Sequence, residues 1–259
     1  MSAAGELQKL AHALDVSPES LSMLDALDAA DVRQLRQQVS DAMFEAGRAA
    51  FERTATLSKM IPGGVAAKLT QAVLPPLVAA RVAEVLDPDR AADMVHRLPE
   101  TYLAEVAMRM DATRAPHVVD AIPAERVGAI ARELARRGEW VVIGGFVSSV
   151  SSPALAASVA QFSGEQLLRI GFVLDDVSRF DEIGDLLTES QLDGLLAAAV
   201  ASSLWAELAE LVSHLTDERL ERLRSRFASA SASAAQRSAF DAAVEAGELP
   251  ASTLGALTA

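Results

Sequence analysis

The chain has no cysteine, and aromatic side chains make up only 4% of its 259 residues. The absence of cysteine excludes disulfides, thiolate zinc sites, iron–sulfur clusters and a cysteine nucleophile, and it is consistent with a reducing cytoplasm. β-branched runs are also short and rare, while Ala and Leu, two good helix formers, supply most of the apolar residues. We therefore predict an all-α protein.

Basic residues are few, because 23 Lys and Arg stand against 36 Asp and Glu and give a formal net charge of −13. A nucleic-acid interface needs clustered Lys and Arg, so no nucleic-acid partner is expected. The same negative field would repel an anionic membrane surface. An excess of acidic residues is typical of proteins that are kept soluble by their net charge. It is also compatible with binding of a cationic partner or a divalent ion.

From the distribution of apolar residues, we predict neither a transmembrane segment nor a secretion signal. Residues 140–164 carry no charge, but Gly144, Gly145 and Pro153 interrupt them, whereas a spanning helix needs about 20 apolar residues in a row. We predict two short helices there. Residues 1–14 lack the basic start and apolar core of a signal peptide, so we expect a cytoplasmic protein.

The first third of the chain, residues 1–85, is predicted to form an N-terminal helical region. Apolar residues recur every three or four positions over 28–59, which indicates one long amphipathic helix. The segment 65–86 is unusually apolar and is bent at Pro75. We expect this segment either to be buried or to bind another molecule.

From Leu86 onward the chain divides into eleven blocks of about a dozen residues. Nearly every block opens with a helix-start signal, and each carries apolar residues three or four apart. Pro88 and Pro153 occupy first helical positions. Ser163 and Thr188 open capping boxes. Each block closes with one or two large apolar residues. The blocks are 86–98, 99–110, 111–122, 123–135, 136–150, 151–162, 163–174, 175–187, 188–200, 201–215 and 216–227.

Helices this short are marginal in isolation, so each block must bury its apolar stripe against its neighbours. Two blocks make a helix–turn–helix unit of about 25 residues, and such units stack into superhelices. We predict an α-solenoid over 86–228; an irregular bundle of the same helices is the alternative. In the third region, residues 229–259, we expect one helix over 233–246 and a frayed remainder.

The phrase Leu-Asp-Pro-Asp-Arg-Ala-Ala-Asp-Met-Val-His-Arg-Leu-Pro-Glu at 86–100, with its degenerate echoes, resembles the cytosolic N-terminal domain of MgtE-type magnesium transporters. The resemblance extends over about residues 86–228. It implies a superhelix related to the armadillo-like repeats of flagellar motor switch proteins. In that family the domain precedes paired CBS domains and a transmembrane channel, and it helps to sense intracellular magnesium through acidic residues. Because the sequence contains neither of those regions, the resemblance implies the fold rather than transport.

No catalytic constellation is present. The sequence has no Gly-x-Ser-x-Gly elbow and no phosphate loop, so we do not expect an enzyme. Hard divalent cations bind several converging oxygens, and two aspartate pairs are spaced to share a helix face: Asp89 with Asp93, and Asp181 with Asp185. Carboxylates also collect at helix N-termini because of the helix dipole. A weak magnesium site and no cofactor at all both remain open.

Large side chains concentrate in the middle blocks, two of which carry no charge. A helix that is apolar all round must be covered by neighbouring repeats, a partner or a ligand. In the simplest interpretation, the aromatic residues form part of the hydrophobic core. In the alternative interpretation, they line a ligand groove, and Tyr102, Arg169 and Arg179 are its polar anchors. The candidate groove residues are Tyr102, Trp140, Gly144, Gly145, Phe146, Phe162, Arg169, Phe172, Arg179 and Trp205.

Three functions follow, none of them catalytic. The first is an interaction or scaffold protein that presents the concave face of a superhelix to another protein or to its own copy. The second is a binding protein for an apolar small molecule or lipid in that groove. The third is a sensor of a divalent cation such as magnesium.

Overall fold

The computed structural model describes residues 3–174, 176–228 and 234–258. Within these ranges the chain forms eighteen α-helices, two short 3-10 helices and no strand, which confirms the all-α prediction. The 3-10 helices are Pro18–Leu24 and Val177–Arg179. In chain order, α1 to α18 are Ala3–Leu14, Ala29–Glu45, Arg48–Ser58, Gly63–Val73, Pro76–Ala83, Pro88–Arg97, Glu100–Ala107, Pro116–Asp120, Ala124–Arg137, Trp140–Phe146, Ser152–Val159, Gly164–Phe172, Phe180–Leu186, Glu189–Ala201, Trp205–His214, Asp217–Ala228, Ala234–Glu245 and Ala251–Thr258.

The eleven predicted blocks contain one helix each, α6 to α16. The carboxylate of Asp87 accepts the backbone N–H of Arg90 at 3.0 Å and caps α6. Both predicted capping boxes form, at Ser163 and Thr188. The uncharged stretch 140–164 forms two short helices, α10 and α11, as predicted. Among the described residues, no helix is both long and apolar enough to cross a membrane.

Most helices in the middle of the chain pack on the helix two positions further on. Thus α4 packs on α6, α5 on α7, α7 on α9, α9 on α11, and α12 on α14. The starts of α5, α7 and α9, at Pro76, Glu100 and Ala124, show the two-helix period. This pattern is expected when two-helix units stack on their neighbours in sequence. It begins with α3 on α5, upstream of the predicted start at residue 86. The superhelical course of the stack stays a prediction.

Side chains near the helix starts tie the units together. Each donates hydrogen bonds to two backbone carbonyls at or just after the end of an earlier helix, where regular helical hydrogen bonding stops. The stack can therefore bury these helix ends without leaving the carbonyls unsatisfied. The sets are Arg90 with Ser58 and Ile61, Tyr102 with Thr70 and Leu74, Arg126 with Val95 and Leu98, Gln191 with Val159 and Phe162, and Arg222 with Gly184 and Leu187.

Two glycines bring the backbones of α12 and α14 into contact. A Cβ atom placed on Gly164 would lie 2.1 Å from the carbonyl carbon of Gly194 and 2.3 Å from the backbone nitrogen of Leu195. Carbon atoms do not approach backbone this closely without steric clash. The crossing of α12 and α14 therefore requires glycine at residue 164.

We expect Gly164→Ala to destabilise the protein, although alanine is the better helix former. The new methyl group would meet the backbone of α14 rather than a flexible side chain, so the two helices must separate, at a cost of about 1–3 kcal/mol. Urea unfolding followed by circular dichroism measures this loss. Gly255→Ala in α18 is the matched control, because a Cβ there meets nothing within 4 Å. Equal stabilities for Gly164→Ala and the parent would contradict the close crossing.

The N-terminal region differs from its prediction at one point. The single helix predicted over 28–59 is wrong, because the chain forms α2 and α3 with a break at Gly47. Glycine is a poor helix former, and here it lies at the N-cap of α3. Upstream, α1 packs on α2 around a small separate core that includes Leu7, Leu10 and Val32.

The C-terminal region is more ordered than its composition indicates. Of the helix predicted over 233–246, the described part is α17, and residue 233 lies outside the described residues. The remainder does not fray as expected, because α18 follows and packs on α15, α16 and α17. Leu249 and Leu257 are almost completely buried. Burying two such side chains stabilises a helix whose Ala- and Ser-rich sequence gives little sign of it.

Candidate functional site

A narrow cavity of about 210 Å³ runs between the helices of the stack. Its wall extends from Ser58 in α3 to Leu223 in α16, and every helix between these two contributes to it. We call this cavity the central groove. Its wall is almost entirely apolar and draws on many helices, so it is the first candidate for a binding site.

Most helices supply the same four positions to the groove, namely i, i+3, i+4 and i+7. These positions form one stripe on a helix, because successive turns bring them to the same face. The groove is therefore where the apolar stripes of consecutive helices converge. The stripes whose four positions all lie in the wall begin at Ala79, Ala91, Leu103, Val127, Ile143, Leu155, Leu167 and Phe180.

Small residues at position i+4 explain why the stripes leave space between them. This position is Ala or Gly in five of the eight stripes and Val in the other three, whereas position i+7 is Leu in five stripes and Met, Val or Phe in the others. Side chains of this size do not reach across the centre, so the inner faces do not interdigitate completely. The five small residues are Ala83, Ala107, Ala131, Gly171 and Gly184.

Polar side chains in the wall are committed to the backbone. The phenol of Tyr102 donates to carbonyls of α4, and burial raises its pKa, so it remains a neutral donor. Ser158 donates to Ala154 at 2.8 Å. Ser58, Arg219 and Arg222 also donate to backbone carbonyls. The groove therefore presents little polarity to a ligand along most of its length.

Three of the ten predicted groove residues lie in the wall, namely Tyr102, Phe146 and Phe162. Arg169 and Arg179, predicted as polar anchors, are ion-paired instead, with Glu165 and Glu182 respectively, each at 3.0 Å. The predicted residues outside the wall are Trp140, Gly144, Gly145, Arg169, Phe172, Arg179 and Trp205.

Several of these outlying residues have packing roles. The ring of Trp205 meets the ring of Phe240 edge-on, with centroids 5.1 Å apart. Trp140 lines a separate hollow beside α1. A Cβ on Gly144 would lie 2.7 Å from the carbonyl oxygen of Val173. Of the two alternatives for Gly144, close helix contact is therefore the one that the geometry favours.

Aliphatic residues that were not predicted as groove residues make up most of the wall. The groove prediction rested on aromatic side chains and charge-free blocks, and neither property marks the groove. The signal that finds the wall is the large apolar residue that closes each block. Leu98, Met110, Ile122 and Leu134 close four consecutive blocks at twelve-residue spacing, and all four line the groove.

The predicted metal ligands are Asp89, Asp93, Asp181 and Asp185, and three of them are paired with arginine. Asp93 accepts from Arg97 at 2.7 Å. Arg219 lies 3.2 Å from the carboxylate of Asp181 and 2.8 Å from that of Asp185. Asp89 is exposed in the first turn of α6. In the described part of the chain, no three His, Asp or Glu side chains come together as a metal site.

One buried acid lies on α5 beside the groove. Burial raises the pKa of Glu84, although its carboxylate accepts the backbone N–H of Asp111 at 2.9 Å and pairs with Arg81 at 2.8 Å. These contacts hold the loop after α7 against α5. Glu84 does not line the groove, so its role is to position the loop.

Comparisons with known proteins identify no relative of this chain. The resemblance to the N-terminal domain of MgtE-type transporters therefore stays a prediction. No family model matches the chain, and neither the curated proteins nor the solved structures contain a match.

Proposed function

We propose that the chain is a non-catalytic binding protein that holds a slender apolar molecule in the central groove. The observation that supports this proposal is a wall of converging aliphatic stripes around about 210 Å³ of space. An apolar protein cavity of about 150 Å³ stays dry and binds benzene. A ligand in the groove would supply the dispersion contacts that the inner helix faces lack. Its transfer from water into the groove would also be favourable, because apolar surface is removed from water.

The wall also restricts the class of ligand. A charged or strongly hydroxylated molecule would lose its hydration without finding partners, because the groove's buried hydroxyls and guanidinium groups are bound to backbone carbonyls. The groove passes many helices yet is narrow, so a bulky ring system fits it less well than a hydrocarbon chain. The second of the three functions, binding of an apolar small molecule or lipid, is thus favoured over the other two.

Diphenylhexatriene, a rod-shaped apolar dye that fluoresces in apolar surroundings, is the probe for this site. We expect the parent protein to bind it saturably in vesicle-free buffer. The double variant Ala83→Leu with Ala107→Leu should weaken binding about tenfold or more, because two larger side chains occupy groove volume that the dye needs. Both positions are only partly buried, which favours correct folding of the variant.

The matched control is Ala209→Leu, a partly buried alanine of α15 that lies outside the groove wall. It should bind the dye as the parent does. Binding that is absent in the parent, or equal in all three proteins, would overturn the proposal. Native mass spectrometry of the purified protein gives an independent readout, since a co-purified apolar molecule would appear as added mass.

The interaction and cation-sensing hypotheses stay predictions. The pairing of three candidate aspartates with arginine leaves fewer carboxylate oxygens for a cation. For an interaction surface, the supporting observation lies outside the groove, on α3 to α5.

A further inference from the structure

An apolar surface lies at the N-terminal end of the stack. Three of its members, Val65, Leu69 and Val73, are four residues apart on α4 and form one stripe. Leu69 is 46% exposed and Val73 is 69% exposed. Among the described residues that follow Leu77 in the chain, no large apolar side chain is exposed. We call this surface the α3–α5 face, and its exposed apolar residues are Leu57, Met60, Val65, Leu69, Val73 and Leu77.

The position of the face in the stack explains its exposure. α3 packs on α5 and α4 packs on α6, whereas the preceding helix, α2, packs mainly on α1. The first unit of the stack therefore has neighbours on one side only. Terminal repeats of stacked proteins ordinarily carry a polar outer face, because that face meets water. An apolar outer face at this position indicates a surface that is covered in use.

The charge of the face is opposite to that of the protein. Residues 53–83 contain no Asp or Glu, and they carry the cations Arg53, Lys59, Lys68 and Arg81. Lys59 pairs with Asp87 and the largely buried Arg81 pairs with Glu84, so the basic side chains that the face offers a partner are the exposed Arg53 and Lys68. The chain as a whole has a net charge of −13. The occupant of the face should therefore be apolar and negatively charged.

We propose that the α3–α5 face docks on a lipid bilayer with an anionic surface. The aliphatic side chains would enter the boundary between headgroups and acyl chains, while the basic side chains attract the lipid phosphates. Repulsion between the lipid phosphates and acidic residues elsewhere on the protein is screened beyond about 10 Å at 0.1 M salt. The net charge predicts repulsion from an anionic membrane. The proposal departs from that expectation at this face only, because the charge of the face is basic.

Two other occupants fit the face less well. A symmetric contact with a second copy would place the basic side chains of one face against those of the other, and like charges repel. A protein partner would ordinarily meet aromatic anchors such as Trp or Tyr at the centre of the interface. Residues 53–83 contain neither, and the exposed large apolar side chains here are Leu, Met and Val.

The face and the central groove draw on the same three helices. Ser58, Thr70 and Leu74 line the end of the groove and adjoin the exposed residues Leu57, Leu69 and Val73 in the sequence. An apolar ligand would then pass between the bilayer and the groove at this end. That passage rests on the proposed binding function, whereas the docking does not.

Vesicle flotation tests the docking with the whole chain. We expect the protein to float with vesicles of phosphatidylcholine mixed with phosphatidylglycerol, and only weakly with phosphatidylcholine alone. Lys68→Glu should weaken binding to the anionic vesicles at least about fivefold, because it removes one basic side chain and adds an acid. Leu69→Gln with Val73→Gln should weaken it about tenfold, because less apolar area enters the bilayer.

The matched control is Met23→Gln with Leu27→Gln, two exposed apolar residues outside the face, and it should bind as the parent does. No binding by the parent, or equal loss in the control, would overturn the docking. So would a dimer in sedimentation velocity that Leu69→Gln with Val73→Gln abolishes, since a second copy would then occupy the face. Dye binding in vesicle-free buffer is a separate readout, so failure of the groove function and failure of docking are distinguishable.

Discussion

Replacing Phe240 with alanine should lower the free energy of unfolding by about 3–5 kcal/mol. Phe240 lies on α17 and is completely buried. Its ring meets Trp205 edge-on at 5.1 Å and Phe227 at 4.9 Å. The substitution therefore removes two favourable aromatic contacts and leaves a cavity under the last helices of the stack.

Urea unfolding in a Trp140→Phe background measures this effect, because Trp205 is then the only tryptophan and lies against the altered site. Ser238→Ala, an exposed change on the same helix, should shift stability by less than about 0.5 kcal/mol. An unchanged midpoint for Phe240→Ala would show that α17 does not pack on α15 and α16 through this ring.

The second large effect is expected at the other end of the chain, where Glu6→Ala should destabilise the contact between α1 and α2 by about 3–5 kcal/mol. Glu6 is fully buried, and its carboxylate lies 3.0 Å from Lys9, 3.2 Å from Arg33 and 3.3 Å from Arg36. Lys9 is itself 4% exposed. The substitution removes a negative charge from the centre of three clustered cations, one of which is buried.

Hydrogen exchange in α1 and α2 is the appropriate measurement, because these helices share a small core that is separate from the main one, and exchange reports on local opening. Glu52→Ala on α3 is the control. Glu52 is exposed and lies 3.9 Å from Arg48, so its loss should cost less than about 0.5 kcal/mol. Unaltered protection of α1 and α2 in Glu6→Ala would mean that the buried carboxylate does not hold them together.

The two ends of the stack are covered differently. At the C-terminal end, α17 packs on α14 and α18 packs on α15 and α16, so the last units have neighbours. At the N-terminal end, α1 and α2 pack on each other and leave the outer face of α4 exposed. This asymmetry is why the docking surface is proposed at one end only, where the central groove also ends.

Local sequence determined most of the helices. Pro at first helical positions, capping boxes and apolar spacing predicted eleven short helices, and α6 to α16 form within those blocks. The reason is that helix caps and apolar stripes depend on residues only a few positions apart, so they can be recognised directly in the sequence. The break at Gly47 also has a local cause, which the regular apolar spacing over 28–59 concealed.

Only the tertiary structure decided which stripes meet. The groove wall unites residues from α3 to α16, so no single block could show that Ala107 and Gly171 border the same space. The contact of Gly164 with Gly194, and the gathering of Arg33 and Arg36 around Glu6, likewise join residues that lie about thirty positions apart. Such contacts depend on how rigid helices cross, and crossing geometry is set by packing over the whole stack rather than by the residues next to one another in the chain.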